Sequence, residues 1–378
     1  MAGIYLHIPF CKKACHYCNF HFSTSLQLKN EFIDALLKEI QLQQDFLGGK
    51  EVQSIYFGGG TPSLLAENEL GAILDLLYQR FNISPSAEIT LEANPDDITA
   101  EKVSAWRESG INRLSNGIQS FYEEHLLWMN RAHSATQALE CISIARQGGI
   151  ANMTIDLIYG IPCLTDEQWA SNVQRAIEFG IPHLSCYALT VEPKTALDAL
   201  IRKNKLADIN PDDQARQFLL LTESLEQAGY EHYEISNFAR PGFRSRHNSS
   251  YWQGVPYLGL GPSAHSYANG KRQWNIASNI RYIESIRAGE IPFEEELLTT
   301  TQQYNEYIMT ALRTLEGINF AEVTRRFGLN RSAALLRQLK AYQPEGHLML
   351  NESSVTLTRE GRLFADGIAA QLFLIEAE

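Results

Sequence analysis

The stretch Gly3-Ile4-Tyr5-Leu6-His7-Ile8-Pro9-Phe10-Cys11-Lys12-Lys13-Ala14-Cys15-His16-Tyr17-Cys18 decides how the rest of the chain is read. Its opening residues, Gly3 to Ile8, form a short apolar run of strand type. Three cysteines then fall within eight residues. Thiolates at this spacing can grip a metal centre, and two kinds fit. A structural zinc wants four closed ligands and would draw His7, His16 or His21 as the fourth. A 4Fe-4S cluster held by three thiolates leaves one iron open to an exchangeable ligand. No second paired-cysteine knuckle follows, and the group sits directly after a strand, which favours the cluster.

Downstream, short β-branched runs alternate with segments of helical period. Strands are predicted at residues 52–57, 87–92, 112–118, 153–159 and 183–188, and helices at 67–80, 99–109, 134–147 and 165–179. A further helical stripe, Phe32, Ile33, Leu36, Leu37 and Ile40, follows the cysteines, with Asn30 placed to cap it. Six strands each followed by a helix imply right-handed crossovers and a parallel sheet. Turn residues cluster where those strands end: Gly58-Gly59-Gly60-Thr61-Pro62, Asn94-Pro95 and Gly160-Ile161-Pro162. In such folds the functional site is built from loops at the C-terminal ends of the strands, the end at which the cysteines also lie.

The composition narrows the classes. At roughly 150 residues per domain, 378 residues make two or three domains. Apolar residues at 44% and charged residues at 20% are ordinary for a globular protein. A net charge of −12 argues against general nucleic-acid binding, which needs a basic face. No apolar run approaches the 18 or so residues of a membrane span, and no signal-peptide layout opens the chain, so a cytoplasmic location is expected. A reducing cytoplasm disfavours disulfides, and Cys141, Cys163 and Cys186 read as buried small hydrophobes.

From about 190 to 298 the pattern loosens. A helix is expected at 211–228, and then comes a Gly-, Pro- and aromatic-rich stretch, Asn237 to Tyr267, with few helical signals. The last 80 residues read as helices at 304–315, 321–327 and 332–342, a hairpin turning at 351–353, and a final helix after Gly361. Helices plus a hairpin suggest a winged-helix-like domain serving as a cover for the first.

These motifs together resemble a known family. C-x3-C-x2-C after a first strand, with Gly58-Gly59-Gly60-Thr61-Pro62 at the end of the next, is similar to the radical S-adenosylmethionine superfamily, in which S-adenosyl-L-methionine chelates the open iron. Tyr5-Leu6-His7-Ile8-Pro9-Phe10-Cys11, Leu91-Glu92-Ala93-Asn94-Pro95, residues 113–121, Asn130-Arg131 and Asp156-Leu157-Ile158-Tyr159-Gly160 are similar to oxygen-independent coproporphyrinogen III dehydrogenase and its relatives. The resemblance implies that Tyr5, Gly59 and Glu92 contact the cluster-bound S-adenosylmethionine. It also implies that Tyr17, Gly60, Thr61, Gln119, Arg131 and Asp156 line what is a second such site in the dehydrogenase.

Two departures redirect the resemblance. The dehydrogenase has a further cysteine where this chain has Phe20, and a longer segment ahead of the cluster motif. Both match the HemW group of haem-binding relatives, as does His247-Asn248-Ser249-Ser250-Tyr251-Trp252. By that resemblance His247, Asn248, Tyr251 and Trp252 contact haem, with Arg240, Arg244 or Arg246 meeting its propionates. Three smaller departures are Asn116 where the family carries an apolar residue, and Cys163 and Lys194 where it carries glycine.

The expectation is therefore a partial parallel (β/α)6 barrel over residues 1–190, an extension over 191–298 and a helical winged domain over 299–378. The chain would bind a 4Fe-4S cluster, S-adenosylmethionine and haem, take electrons from a donor and pass haem to an acceptor haem protein. The alternative is oxidative decarboxylation of coproporphyrinogen III to protoporphyrinogen IX.

Overall fold

The opening run becomes β1 (Ala2–Ile8), and the alternation of strands and helical stripes continues through six units in the computed structural model, which describes residues 1–342 and 346–375. After β1 come α1 (Lys29–Leu42), β2 (Val52–Gly59), α2 (Glu67–Arg80), β3 (Ile83–Ala93), α3 (Ala100–Glu108) and β4 (Arg113–Gln119). Then follow α4 (Glu123–Trp128), α5 (Ala135–Gln147), β5 (Met153–Tyr159), α6 (Asp166–Glu178), β6 (His183–Ala188), α7 (Ala196–Arg202) and α8 (Pro211–Gln227). α6 shows why these segments are helical. Trp169, Val173 and Ala176 form its buried stripe, and the Thr165 hydroxyl accepts the Gln168 amide at its start. Asn30 does not cap α1 as expected. That helix follows Leu28 without a side-chain cap, because burial of Phe32, Leu36 and Ile40 sets its phase.

β1 to β6 pair in chain order, all parallel. The sheet curves but does not close on itself. The middle of the chain supplies both flanks: β7 (Glu231–Glu234), β8 (Asn237–Ala239), α9 (Arg246–Trp252), β9 (Tyr257–Leu260), β10 (His265–Ala268), β11 (Lys271–Asn275), α10 (Asn279–Ala288) and β12 (Phe293–Leu297). β9 joins β1 in parallel and β8 joins β6 antiparallel, giving the order β12-β11-β10-β9-β1-β2-β3-β4-β5-β6-β8-β7. The added strands pair with backbone that would otherwise be left as open edges.

The stretch 237–267, expected to have little helix, holds α9. Its seven residues carry no apolar periodicity, and its start is fixed by tertiary contacts. Glu88, on β3, accepts the backbone amides of Arg246 and His247, and the Ser245 hydroxyl accepts that of Asn248. A cap supplied from a distant strand leaves no trace in the local pattern.

The C-terminal region has its own core around Tyr304, Ile308, Leu312, Val323, Leu335, Val355 and Ile368. It contains α11 (Thr300–Leu312), β13 (Ile318–Asn319), α12 (Phe320–Phe327), α13 (Leu329–Tyr342), β14 (Leu348–Leu350), β15 (Ser354–Leu357), a 3-10 turn at Gly361–Phe364 and α14 (Ala365–Gln371). The expected hairpin gains β13 as a third strand. This region is tied to the barrel where Glu234 accepts Arg313 at 3.0 Å and the Ile235 amide donates to the Arg313 carbonyl. No described helix is long and apolar enough to cross a membrane.

Candidate functional site

Cys11, Cys15 and Cys18 lie half-buried and unbridged on the loop after β1, at the mouth of a chamber of about 1080 Å³. The chamber gathers loops from the C-terminal ends of the strands. It is lined by Tyr17, Gly59, Gly60, Thr61, Glu92, Gln119, Arg131 and Asp156, so the expected S-adenosylmethionine residues come together there except Tyr5. Tyr5 lies one layer deeper, its ring stacked near Tyr56 and its hydroxyl donating to His7 Nδ1 at 3.3 Å.

The glycine run is required by packing as well as by any ligand. Gly59 has φ +101°, and a Cβ there would sit 2.6 Å from the His7 ring. A Cβ on Gly60 would meet the carbonyls of Ile8 and Phe10 at 2.7 Å, so no side chain fits between β2 and the end of β1. The glycines therefore hold the loop from which the cysteines hang.

Arg131 is the electrostatic centre. Its Nη1 donates to Cys15 Sγ at 3.3 Å and lies 3.4 Å from the Tyr17 hydroxyl. Nη2 donates to the Gly117 carbonyl at 2.6 Å and to Asn94 Oδ1 at 2.9 Å, while Nε has no partner among the described residues. Burial alone would depress this guanidinium, but Tyr17 and Cys15 beside it hold it firmly protonated. Burial pushes the Cys11 thiol up to about 11, with the Thr61 hydroxyl bond acting the other way. Metal binding must therefore displace that proton.

Two carboxylates share the chamber. Burial raises Glu92 to about 7, partly offset by Tyr56, whose hydroxyl donates to Oε1 at 2.8 Å, and by the Gly59 amide. Asp156 also rises to about 7 through burial, against the pull of Arg113 and Arg131. Gln119 adopts φ +68° at the end of β4, where the pairing with β5 shifts register, a strained geometry that places a non-glycine residue in the chamber wall.

The residues suit a cluster. A cubane spreads three sulfur ligands over three irons, so the thiols need not converge on one atom, and among the described residues no three His, Cys, Asp or Glu side chains do so. Each histidine considered as a fourth zinc ligand spends at least one ring nitrogen on a protein oxygen. His7 donates through Nε2 to the His21 carbonyl, His16 through Nδ1 to the Trp128 carbonyl, and His21 through Nε2 to Asn279.

The residues expected to meet haem lie outside the chamber. His247 is buried in the barrel floor, its Nδ1 bonded to the Ser54 hydroxyl at 2.9 Å and its Nε2 to that of Tyr251 at 2.8 Å. Both nitrogens are occupied by hydroxyls, and burial lowers its pKa to about 3, so the ring is neutral and held within the floor rather than presented to the chamber. Asn248 is half-buried on the same helix. Tyr251 and Trp252 line a separate groove of about 480 Å³ against α11 and α12. The nearby arginines are also engaged: Arg240 lies over Tyr230, Arg244 pairs with Glu231 and Glu316, and Arg246 bonds the Ser86 carbonyl. Cys141 and Cys186 are buried as expected, but Cys163 is exposed, because it falls in the turn between β5 and α6.

Several chamber residues carry weaker signals or none. Asn94 in the chamber, and Tyr56 behind its wall where it bonds Glu92, are accessible to strand alternation and the loop that follows, since Ser54 and Tyr56 project to one side of β2 and Glu88 and Glu92 to one side of β3. Tyr187, Arg362 and Phe364 come from distant segments and have no local mark.

The geometry is matched by known proteins. Residues 5–176 match the model of the radical SAM superfamily, and residues 298–364 match that of the HemN C-terminal domain. The chain is 32% identical over 371 residues to heme chaperone HemW of Bacillus subtilis, covering 97% of this chain and 98% of that one. It is 34% identical to heme chaperone HemW of Mycobacterium tuberculosis, covering 98% and 94%. Among solved structures, coproporphyrinogen III oxidase (HemN) from Escherichia coli, described as a radical SAM enzyme, superposes with a TM-score of 0.85 over 98% of this chain and 90% of that one. At 24% identity that likeness concerns the fold.

Proposed function

The chain belongs to the heme chaperone HemW family within the radical SAM superfamily, and from that membership we propose that it binds haem and delivers it to an acceptor haem protein. The observation that carries the reading is similarity spanning the whole chain, from the cluster loop through the C-terminal domain, to proteins of that name. The chain takes a 4Fe-4S cluster, and bound S-adenosylmethionine supplies the open iron's remaining ligands.

In this reading Cys11, Cys15 and Cys18 hold the cluster. Glu92 takes the ribose hydroxyls of S-adenosylmethionine, Gly59 leaves room for its methionyl backbone, and Tyr5 supports this layer from below. Arg131, Gln119, Asp156, Tyr17, Gly60 and Thr61 form the wall at which a second molecule would bind. The cytoplasm and an electron donor that reduces the cluster belong to the same proposal. So does the division of labour among a barrel at 1–190, its extension at 191–298 and a C-terminal domain at 299–378. Phe20, which is 65% exposed on the chamber wall where the dehydrogenase carries a cysteine, favours carriage over decarboxylation.

The test gives anaerobically reconstituted protein haem, follows the Soret band, and then adds an apo-haem protein. Saturable binding and passage to the acceptor are expected. Catalytic formation of protoporphyrinogen from coproporphyrinogen III, S-adenosylmethionine and a reductant would overturn the reading.

A further inference from the structure

At the wall of the chamber formed by the C-terminal region, the turn Gly361–Phe364 places the guanidinium of Arg362 against His232. The imidazole is fixed: it stacks on Phe238 with 4.0 Å between centroids, and its Nε2 donates to the Ile235 carbonyl at 2.9 Å. Nδ1 is therefore an acceptor, and it takes a hydrogen bond from Arg362 Nη1. A neutral histidine thus positions the arginine without neutralising it.

No carboxylate stands within ion-pair distance of Arg362 among the described residues. The acid that draws on it, Glu226, is bound to Arg359. Neighbouring Arg313 is balanced by Glu234 and Asp366. Among the described arginines with a shifted pKa, Arg362 alone moves down, through burial, while Arg131, Arg216, Arg244, Arg325 and Arg359 move up. A half-buried guanidinium with spare donors and no counter-charge is a site for an anion.

The surfaces beside it restrict which anion. Tyr187 and Phe364, both lining the same chamber, leave 43% and 51% of their surface exposed, and Leu363, Ile235 and Phe218 extend the apolar wall. A flat apolar body with a carboxylate at its edge matches this combination better than a small phosphate or a nucleotide does.

We propose that Arg362 anchors a haem propionate, with the macrocycle against Tyr187 and Phe364 in the cluster chamber. This rests on the haem-chaperone reading above and locates its ligand. The carboxylate of S-adenosylmethionine has the same chemistry, and the test separates the two.

Haem and haem dimethyl ester, whose propionates are esterified, are titrated into reconstituted full-length wild type, Arg362→Gln and Arg362→Lys, and S-adenosylmethionine binding is measured on all three. Wild type should hold haem about tenfold more tightly than the diester. Arg362→Gln should lose that preference while binding the diester as wild type does, Arg362→Lys should retain part of it, and S-adenosylmethionine affinity should not change. Equal affinity of wild type for haem and diester overturns the anchor without needing any variant. So does loss of S-adenosylmethionine in place of haem, or an equal fall for both porphyrins. Failure of wild type to bind either porphyrin removes the chaperone reading itself.

Discussion

The ring of Tyr56 lies against the imidazole of His247, 5.0 Å between centroids and 24° from parallel. The Tyr56 hydroxyl points the other way, to Glu92. One aromatic layer therefore separates the barrel floor, built by α9, from the carboxylate proposed to hold S-adenosylmethionine. Changes in the floor reach the cofactor side through this ring and that of Tyr5, which stacks on both.

The Tyr56 hydroxyl bond favours the ionised form of Glu92, against a burial effect that raises it to about 7. A carboxylate that must be ionised to grip a ribose loses that grip as pH falls through this value, so S-adenosylmethionine affinity should weaken below pH 7. Tyr56→Phe removes a donor to the anion and should move the midpoint upward by about one pH unit, the equivalent of roughly 1.4 kcal/mol. Calorimetric titration between pH 6 and 8.5 reads both midpoints; coincident curves would refute the coupling.

His247→Ala removes a buried ring and strands the hydroxyls of Ser54 and Tyr251. The cost should be about 2–4 kcal/mol of stability. Because the imidazole has no free nitrogen, the haem Soret spectrum of the folded variant should match that of wild type. A changed band at unchanged melting temperature would restore His247 as an iron ligand.

Asn116 is fully buried on β4, and neither its amide nitrogen nor its oxygen finds a partner among the described residues. Adjacent Ser115 and Gly117 line the chamber, so strand alternation turns Asn116 toward the surrounding helices. Asn116→Leu keeps the branched shape, replaces two unsatisfied polar groups by larger methyls, and should stabilise the fold by about 1 kcal/mol once the tighter packing is counted. Urea denaturation decides it; a lower midpoint would mean that the amide has a partner in solution.

Lys194 adopts φ +69° in the turn before α7. Glycine there is free of the Cβ strain, so Lys194→Gly should gain roughly 0.5–1 kcal/mol after the entropy of the unfolded glycine is counted. A thermal melt no higher than wild type would show that the turn relaxes around the lysine.

What is legible in the sequence divides along physical lines. Strands β1 to β6 are readable because a buried parallel sheet demands unbroken apolar runs, and the chamber residues are readable because they sit where those runs end. α9 is not, since its cap is Glu88, on β3. The setting of His247 is not either: a motif shows that a residue type recurs, and only the fold shows the ring buried in the floor between Ser54 and Tyr251. Arg362 lacks any local mark, because what defines it is the missing counter-charge, a property of its surroundings in space.

The lateral partners of β1 carry a consequence for how the protein is made. One edge of the strand that carries the cysteine loop is completed only by β9, which pairs Tyr257 with Gly3 from far along the chain. During synthesis the metal-binding loop therefore hangs from a half-paired strand, and contacts of such long sequence separation form slowly. Cluster insertion into the settled site should thus follow the docking of β9 on β1.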